Sequence, residues 1–118
     1  MTSAGLVAAR EDEHRLRIDS EGEAPRELAI GAALAIGRGP DNGLQLASPR
    51  VSRRHCRVFV VEGCCFVEDL GSAAGTQVEG RTITGPCALG HGARIRVGEV
   101  ELVYCEAGRP SPSRGPGA

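Results

Sequence analysis

Small, polar and cationic residues occur together in three short segments of the sequence. The first segment is Ile36–Gly39 and contains Arg38. The second is Val51–His55, which includes Ser52, and the third runs from Asp69 to Thr76. A phosphate dianion exposes three strong acceptors, which an arginine fork, a serine hydroxyl and backbone N–H groups can satisfy with charge-assisted hydrogen bonds. The residue types therefore predict a phosphate site, provided that the fold brings the three segments together.

Two other chemistries use the same residue types. Ser52 and His55 could act as a nucleophile and its base, but no Gly-x-Ser-x-Gly elbow and no oxyanion loop accompany them. A metal site is equally disfavoured, since His55 has no second ligand at a useful spacing. Taken alone, Arg38 could be an ordinary solvated arginine. We predict neither catalysis nor a bound metal or cofactor.

The elements that would position these residues are short β-strands. Glycine recurs between apolar or alternating runs, as is typical of tight turns between antiparallel strands, and no window has a helical pattern. Many short strands of this kind predict a sandwich or a barrel. Because aromatic residues are scarce, the core is expected to consist of Val, Leu, Ile and Ala. The predicted strands are His14–Asp19, Glu27–Ile30, Ala33–Gly37, Arg57–Glu62, Cys64–Asp69, Ile95–Val97 and Val100–Tyr104.

The chain of 118 residues has the size of one domain. We place that domain at residues 13–106. Residues 1–12 are small and polar, and residues 107–118 consist largely of Gly, Pro, Ser and Arg. Both ends are predicted to be flexible tails.

Composition limits the partners and the compartment. A formal net charge of −1 gives no sign of general affinity for nucleic acid or acidic membranes. No apolar run is long enough to span a bilayer and no basic-then-apolar leader opens the chain, so cytoplasmic residence is expected. The five cysteines show no Cys-x-x-Cys spacing and are predicted to be free, with Cys64 and Cys65 on opposite faces of one strand.

The spacing of the three segments is more specific than any one of them. Arg38 comes first, Ser-Arg-x-His follows at residues 52–55, and Leu-Gly-Ser-x-x-Gly-Thr follows at residues 70–76. Together with Val78–Gly80 and the segment 89–98, they resemble the forkhead-associated (FHA) family over about residues 14 to 105. The resemblance implies an all-β, twisted antiparallel β-sandwich without catalytic activity, whose loops at one end bind phosphothreonine in a partner protein. It implies a signalling or adaptor role.

Site residues are carried over from the family by position. The phosphate oxygens are assigned to Arg38 and Ser52, with Arg53 reaching the phosphate from the adjoining position. Some family members use a basic residue at the position of Arg50 to read the third side chain after the phosphothreonine. The residues expected to support the site structurally are Gly37, His55, Gly75 and Thr76.

The sequence departs from the family where the peptide would be read. Ala74 stands where phosphopeptide-binding members usually carry an asparagine that grips the peptide main chain, and Ala73 stands where some add a hydroxyl. Glu79 and Ala93 replace an asparagine and an aspartate near turns. These departures leave a second interpretation open, in which the domain is a phosphate-independent interaction or oligomerisation scaffold.

Overall fold

A computed structural model of the chain describes residues 12–19 and 24–112. Within them the regular elements are all strands, so the all-β prediction is confirmed. The strands are β1 (Arg15–Asp19), β2 (Arg26–Ala29), β3 (Ala33–Gly37), β4 (Leu44–Gln45), β5 (Cys56–Val61), β6 (Cys64–Asp69), β7 (Thr76–Val78), β8 (Arg81–Thr82), β9 (Cys87–Leu89), β10 (Arg94–Val97) and β11 (Val100–Cys105).

These strands form two sheets packed as a sandwich. One sheet has six strands in the order β2-β1-β11-β10-β7-β8, and the other has five in the order β4-β3-β5-β6-β9. Neighbouring strands are antiparallel except β3 and β4, which pair in parallel from Ile36 to Gly37. All seven predicted strands are present with ends shifted by at most one residue, whereas the short strands β4, β7, β8 and β9 were not predicted.

The core lies between the sheets and follows from the period-2 alternation of side chains along each strand. On β10, Ile95 and Val97 are fully buried while Arg94 and Arg96 face outward. Val, Leu and Ile dominate the core as expected, and Tyr104 is the one aromatic ring among its members. The two faces of β10 therefore have opposite character, and such a difference fixes the register of a strand in its sheet.

The cysteines divide between core and surface. Cys65 is buried and Cys64 is exposed, so the prediction that they face opposite ways is confirmed. Burial raises the pKa of both Cys56 and Cys65 to about 12. These two thiols are therefore protonated at neutral pH and act as small apolar core residues.

The segment after β11 folds back over the outer face of the six-stranded sheet. The carbonyl of Arg109 accepts a hydrogen bond from Arg15, and the hydroxyl of Ser111 accepts one of 2.8 Å from Arg17. Both β1 arginines are buried in this way. Of the segment expected to be a flexible tail, residues 109–112 thus have defined contacts, and residues 113–118 lie outside the described residues, as do residues 1–11 of the N-terminal tail. No helix in the described parts of the chain is long and apolar enough to cross a membrane.

Candidate functional site

Arg38 is held at the end of β3 by the loop between β4 and β5. Its backbone N–H donates to the carbonyl of Ser52 at 2.9 Å, and its Nε donates to the carbonyl of Val51 at 2.9 Å. The terminal amino groups of Arg38 donate no hydrogen bond to any residue that the structure describes. The guanidinium is thus anchored by one nitrogen, and its other two nitrogens are available to a ligand.

Close contact between the first two segments depends on Gly37. A Cβ atom at this position would lie 2.2 Å from the carbonyl oxygen of Arg53, which no side chain tolerates. The same carbonyl accepts hydrogen bonds from the N–H of Gly39 at 3.1 Å and from the side-chain amide of Asn42 at 2.7 Å. Asn42, which sequence reasoning missed, therefore helps to hold the two segments together.

His55 is fully buried and connects the second segment to the third. Its Nδ1 accepts a hydrogen bond of 3.0 Å from the backbone N–H of Ser52. The other ring nitrogen, Nε2, must then carry the proton, and it lies 2.9 Å from the carbonyl of Gly75, to which it donates. His55 therefore joins the second and third segments by hydrogen bonds. The Ser52 hydroxyl is not a partner of the ring, so the pairing that a serine nucleophile requires is absent among the described residues.

Asp69 organises the third segment, between β6 and β7. Its carboxylate accepts hydrogen bonds from the N–H groups of Gly71 and Ser72 and from the hydroxyls of Ser72 and Thr76. Burial alone would raise the pKa of Asp69, but these hydrogen bonds outweigh it and hold the pKa below its ordinary value of 3.8. Thr76 and Gly75 both belong to the residues expected to support the site, and Gly75 has a positive φ of 82°. The sequence analysis placed Asp69 in the third segment without assigning it a role, although an aspartate two residues before a glycine is typical of an Asx turn.

The first, second and third segments meet around a cavity of about 320 Å³. The Ser52 hydroxyl lies at its wall and accepts a hydrogen bond of 3.0 Å from the backbone N–H of Ala73. Of the predicted ligand-contacting residues, all but one line the cavity; Arg53 is exposed outside this lining. The lining consists of Arg38, Pro49, Arg50, Val51, Ser52, Ala73 and Ala74.

The cavity therefore brings cationic and hydroxyl side chains together. It combines an arginine fork and a hydroxyl with a second arginine at Arg50, whose Nε lies 3.6 Å from a carboxylate oxygen of Glu99. No group of His, Cys, Asp and Glu side chains in the described ranges has the arrangement of a metal site. Binding of a phosphoryl group by hydrogen bonds is the chemistry that these residues support.

Comparison with known proteins agrees with this fold. The family model of the FHA domain matches residues 34–98, more than half of the chain. The chain belongs to the FHA domain family. It is 30% identical over 101 residues to the FHA domain-containing protein FhaB of Mycobacterium tuberculosis, covering 82% of this chain but 65% of that protein. The chain thus spans slightly less than two thirds of the length of this relative.

Solved FHA domains have the same architecture. One, studied for its phosphothreonine-dependent interactions, is 29% identical and superimposes with a TM-score of 0.68, covering 85% of this chain and 98% of that one. EmbR of Mycobacterium tuberculosis, solved with a low-affinity phosphopeptide, is 27% identical with a TM-score of 0.71 over 86% of this chain and 26% of that one. The twisted β-sandwich of this FHA domain is thereby shown.

The departures from the FHA pattern have different structural consequences. Ala73 and Ala74 are both exposed at the cavity, where their methyl groups offer no hydrogen bond. Glu79 adopts a φ of 52°, but its carboxylate accepts a hydrogen bond of 2.8 Å from the N–H of Arg94, which stabilises the turn. Ala93 is buried and packs in the core. The first two departures affect the site, and the other two lie in turns outside the cavity lining.

Proposed function

We propose that this FHA domain binds phosphothreonine in a partner protein and acts as a signalling adaptor. The observation that carries the proposal is that Ser52 and Arg38, whose terminal amino groups donate no hydrogen bond to a described residue, line one cavity. Two arginine nitrogens and a hydroxyl match the acceptors of a phosphate dianion. FhaB, EmbR and the phosphothreonine-dependent domain support it as relatives of the same family.

Each residue has a separate role in this proposal. Arg38 donates from both terminal nitrogens to the phosphate, and Ser52 donates its hydroxyl proton, since its oxygen already accepts from Ala73. Arg53, which is exposed outside the cavity lining, adds positive charge from the adjoining position. The γ-methyl group of the threonine packs on the apolar part of the lining, which we assign to Val51 and the two alanines.

The proposed activity is binding without catalysis. The fixed tautomer of His55 directs its proton toward Gly75 and its lone pair toward the Ser52 backbone, so neither nitrogen faces a substrate. We also propose a cytoplasmic location, since protein kinases and reduced thiols are found there. Partners that are nucleic acids or membranes are not proposed, because the net charge is −1.

An oriented peptide library tests the proposal directly. The immobilised library would contain a fixed phosphothreonine, and its controls would carry threonine or phosphoserine at the same position. We expect retention on the phosphothreonine library alone, and a Kd for the selected peptide at least tenfold below that of its unphosphorylated form. Equal binding of both forms would overturn the proposal in favour of a phosphate-independent module.

A further inference from the structure

The outer face of the five-stranded sheet carries large apolar side chains that are not part of the core. The sequence contains two phenylalanines, Phe59 on β5 and Phe66 on β6, and neither belongs to the core. Their rings stack on this face with centroids 5.6 Å apart, and both remain partly exposed. Beside them Val61 is 49% exposed. Two stacked rings and Val61 thus form a small apolar surface on this face.

The sheet register makes this surface symmetric. Ala33 pairs with Phe59, Phe59 pairs with Phe66, and Phe66 pairs with Ala88, so one row across β3, β5, β6 and β9 reads Ala-Phe-Phe-Ala. The row has small residues at both ends and large residues in the centre. It is the same when read in either direction.

The neighbouring row adds complementary charge. Arg57 pairs with Glu68 across the same two strands, with 2.6 Å between Nη2 and the carboxylate, and its guanidinium lies 4.5 Å from the centre of the Phe59 ring. Consider two copies of this sheet stacked face to face, with a two-fold axis between them that is parallel to the strands and lies over the gap between β5 and β6. It places Arg57 of one copy opposite Glu68 of the other, and Phe59 opposite Phe66.

We propose that a second copy of this chain binds this face and forms a symmetric dimer by stacking the two five-stranded sheets. A two-fold interface requires a self-complementary surface, and this face provides one in both its apolar and its charged row. The dimer leaves the phosphate cavity open, because the cavity lies in loops and its lining contains none of these strand residues. Self-association is therefore independent of the proposed phosphopeptide binding.

Sedimentation velocity of the full chain tests the proposal. The patch is small, so we expect a weak dimer that forms between about 10 and about 500 µM. Reductant must be present throughout, so that a disulfide between exposed Cys64 thiols is not counted as this dimer. A monomer at every concentration, or a dimer seen only without reductant, would overturn the proposal.

Charge exchange tests the orientation of the two copies. Arg57→Glu and Glu68→Arg each place like charges across the interface, so each variant alone should lose dimer formation at least tenfold. A mixture of the two variants should associate, because every cross-interface pair is then opposite in charge. Arg81→Glu makes the same charge change on an exposed residue of the other sheet and should leave the dimer unchanged. Failure of the mixed variants to associate, where the wild type does, would refute the two-fold arrangement.

Phe66→Lys tests the apolar row. It should abolish the dimer while the far-UV circular dichroism of the monomer stays unchanged. A folded Phe66→Lys variant that dimerises like the wild type would place the interface elsewhere. Because Phe66 contributes to its own sheet, the charge-exchange pair remains the deciding measurement if this variant does not fold.

Discussion

The two ends of the cavity differ in the hydrogen-bonding side chains that they offer to a ligand. At the phosphate end, Arg38 and Ser52 are positioned by backbone contacts, by buried His55 and by the loop that Asp69 organises. At the other end, Ala73 and Ala74 contribute methyl groups and main chain. Loop geometry is thus maintained by residues that do not touch the ligand, and it persists where the side chains that would read a peptide are absent.

The largest effect is expected at the phosphate end. Arg38→Ala should weaken binding of a library-selected phosphothreonine peptide about 10- to 100-fold, because two charge-assisted hydrogen bonds are lost and hydroxyls cannot replace them. Isothermal titration calorimetry at constant salt would measure it. Arg54→Ala, which removes an exposed arginine of the same loop, is the matched control. A loss below threefold would mean that the phosphate binds elsewhere.

The hydrogen bonds that Asp69 accepts should contribute to the free energy of unfolding, and that contribution should depend on pH. Asp69→Asn should lower the free energy of unfolding by about 1–2 kcal/mol at neutral pH, since hydrogen bonds to a carboxylate become bonds to a neutral amide. The pKa of Asp69 is depressed in the folded state, so its contribution is present above 3.8 and is lost as the pH falls through the lower folded value.

Denaturant unfolding of the wild type and Asp69→Asn at several pH values tests this sign. The difference between the two proteins should shrink as the pH falls below 3.8. Asp41→Asn, at an exposed aspartate, provides the comparison with an ordinary surface carboxylate. A difference that stays constant down to about pH 2.5 would show that Asp69 acts through its shape and not its charge.

Introducing an amide at position 74 would give the second end of the cavity a hydrogen-bonding side chain as well. Ala74→Asn should strengthen binding about 3- to 30-fold, because an asparagine can donate to and accept from the peptide main chain, partly offset by the cost of ordering it. The dissociation constant of one phosphothreonine peptide would be compared for both proteins after their thermal stabilities are shown to be equal. If Ala74→Asn has no effect while Arg38→Ala abolishes binding, the phosphate site is correct but the peptide follows another path.

The smallest effect concerns Arg50 at the rim. Glu99 lies 3.6 Å from Arg50 and both side chains are largely exposed, so Glu99 competes with any acidic residue of the peptide. Glu99→Gln should raise affinity about two- to fivefold for a peptide with glutamate three positions after the phosphothreonine, and less for one with alanine there. Arg50→Ala should remove this preference. An unchanged preference in Arg50→Ala would assign it to another residue.

Local patterns in the sequence predicted the longer strands of the fold. Alternation along β10, and along part of β5 and β6, has a two-residue period that is visible without tertiary structure. Strands of two or three residues, such as β4 and β8, are too short to show that period, and they form because a neighbouring strand offers hydrogen bonds at that place. They could be found only from the assembled sheets.

The candidate site likewise has a part that the sequence predicted and a part that only the tertiary structure showed. The residue types and spacing of the three segments identified the resemblance to the FHA family, and that resemblance implied the phosphate-binding roles of Arg38 and Ser52. Only the tertiary structure showed that Arg53 is exposed outside the cavity lining, that Asp69 organises a loop, and that Phe59 and Phe66 lie outside the core. The direction of a side chain and the identity of its partner depend on contacts between segments that are far apart in the chain. Those contacts exist only after the sheets have packed.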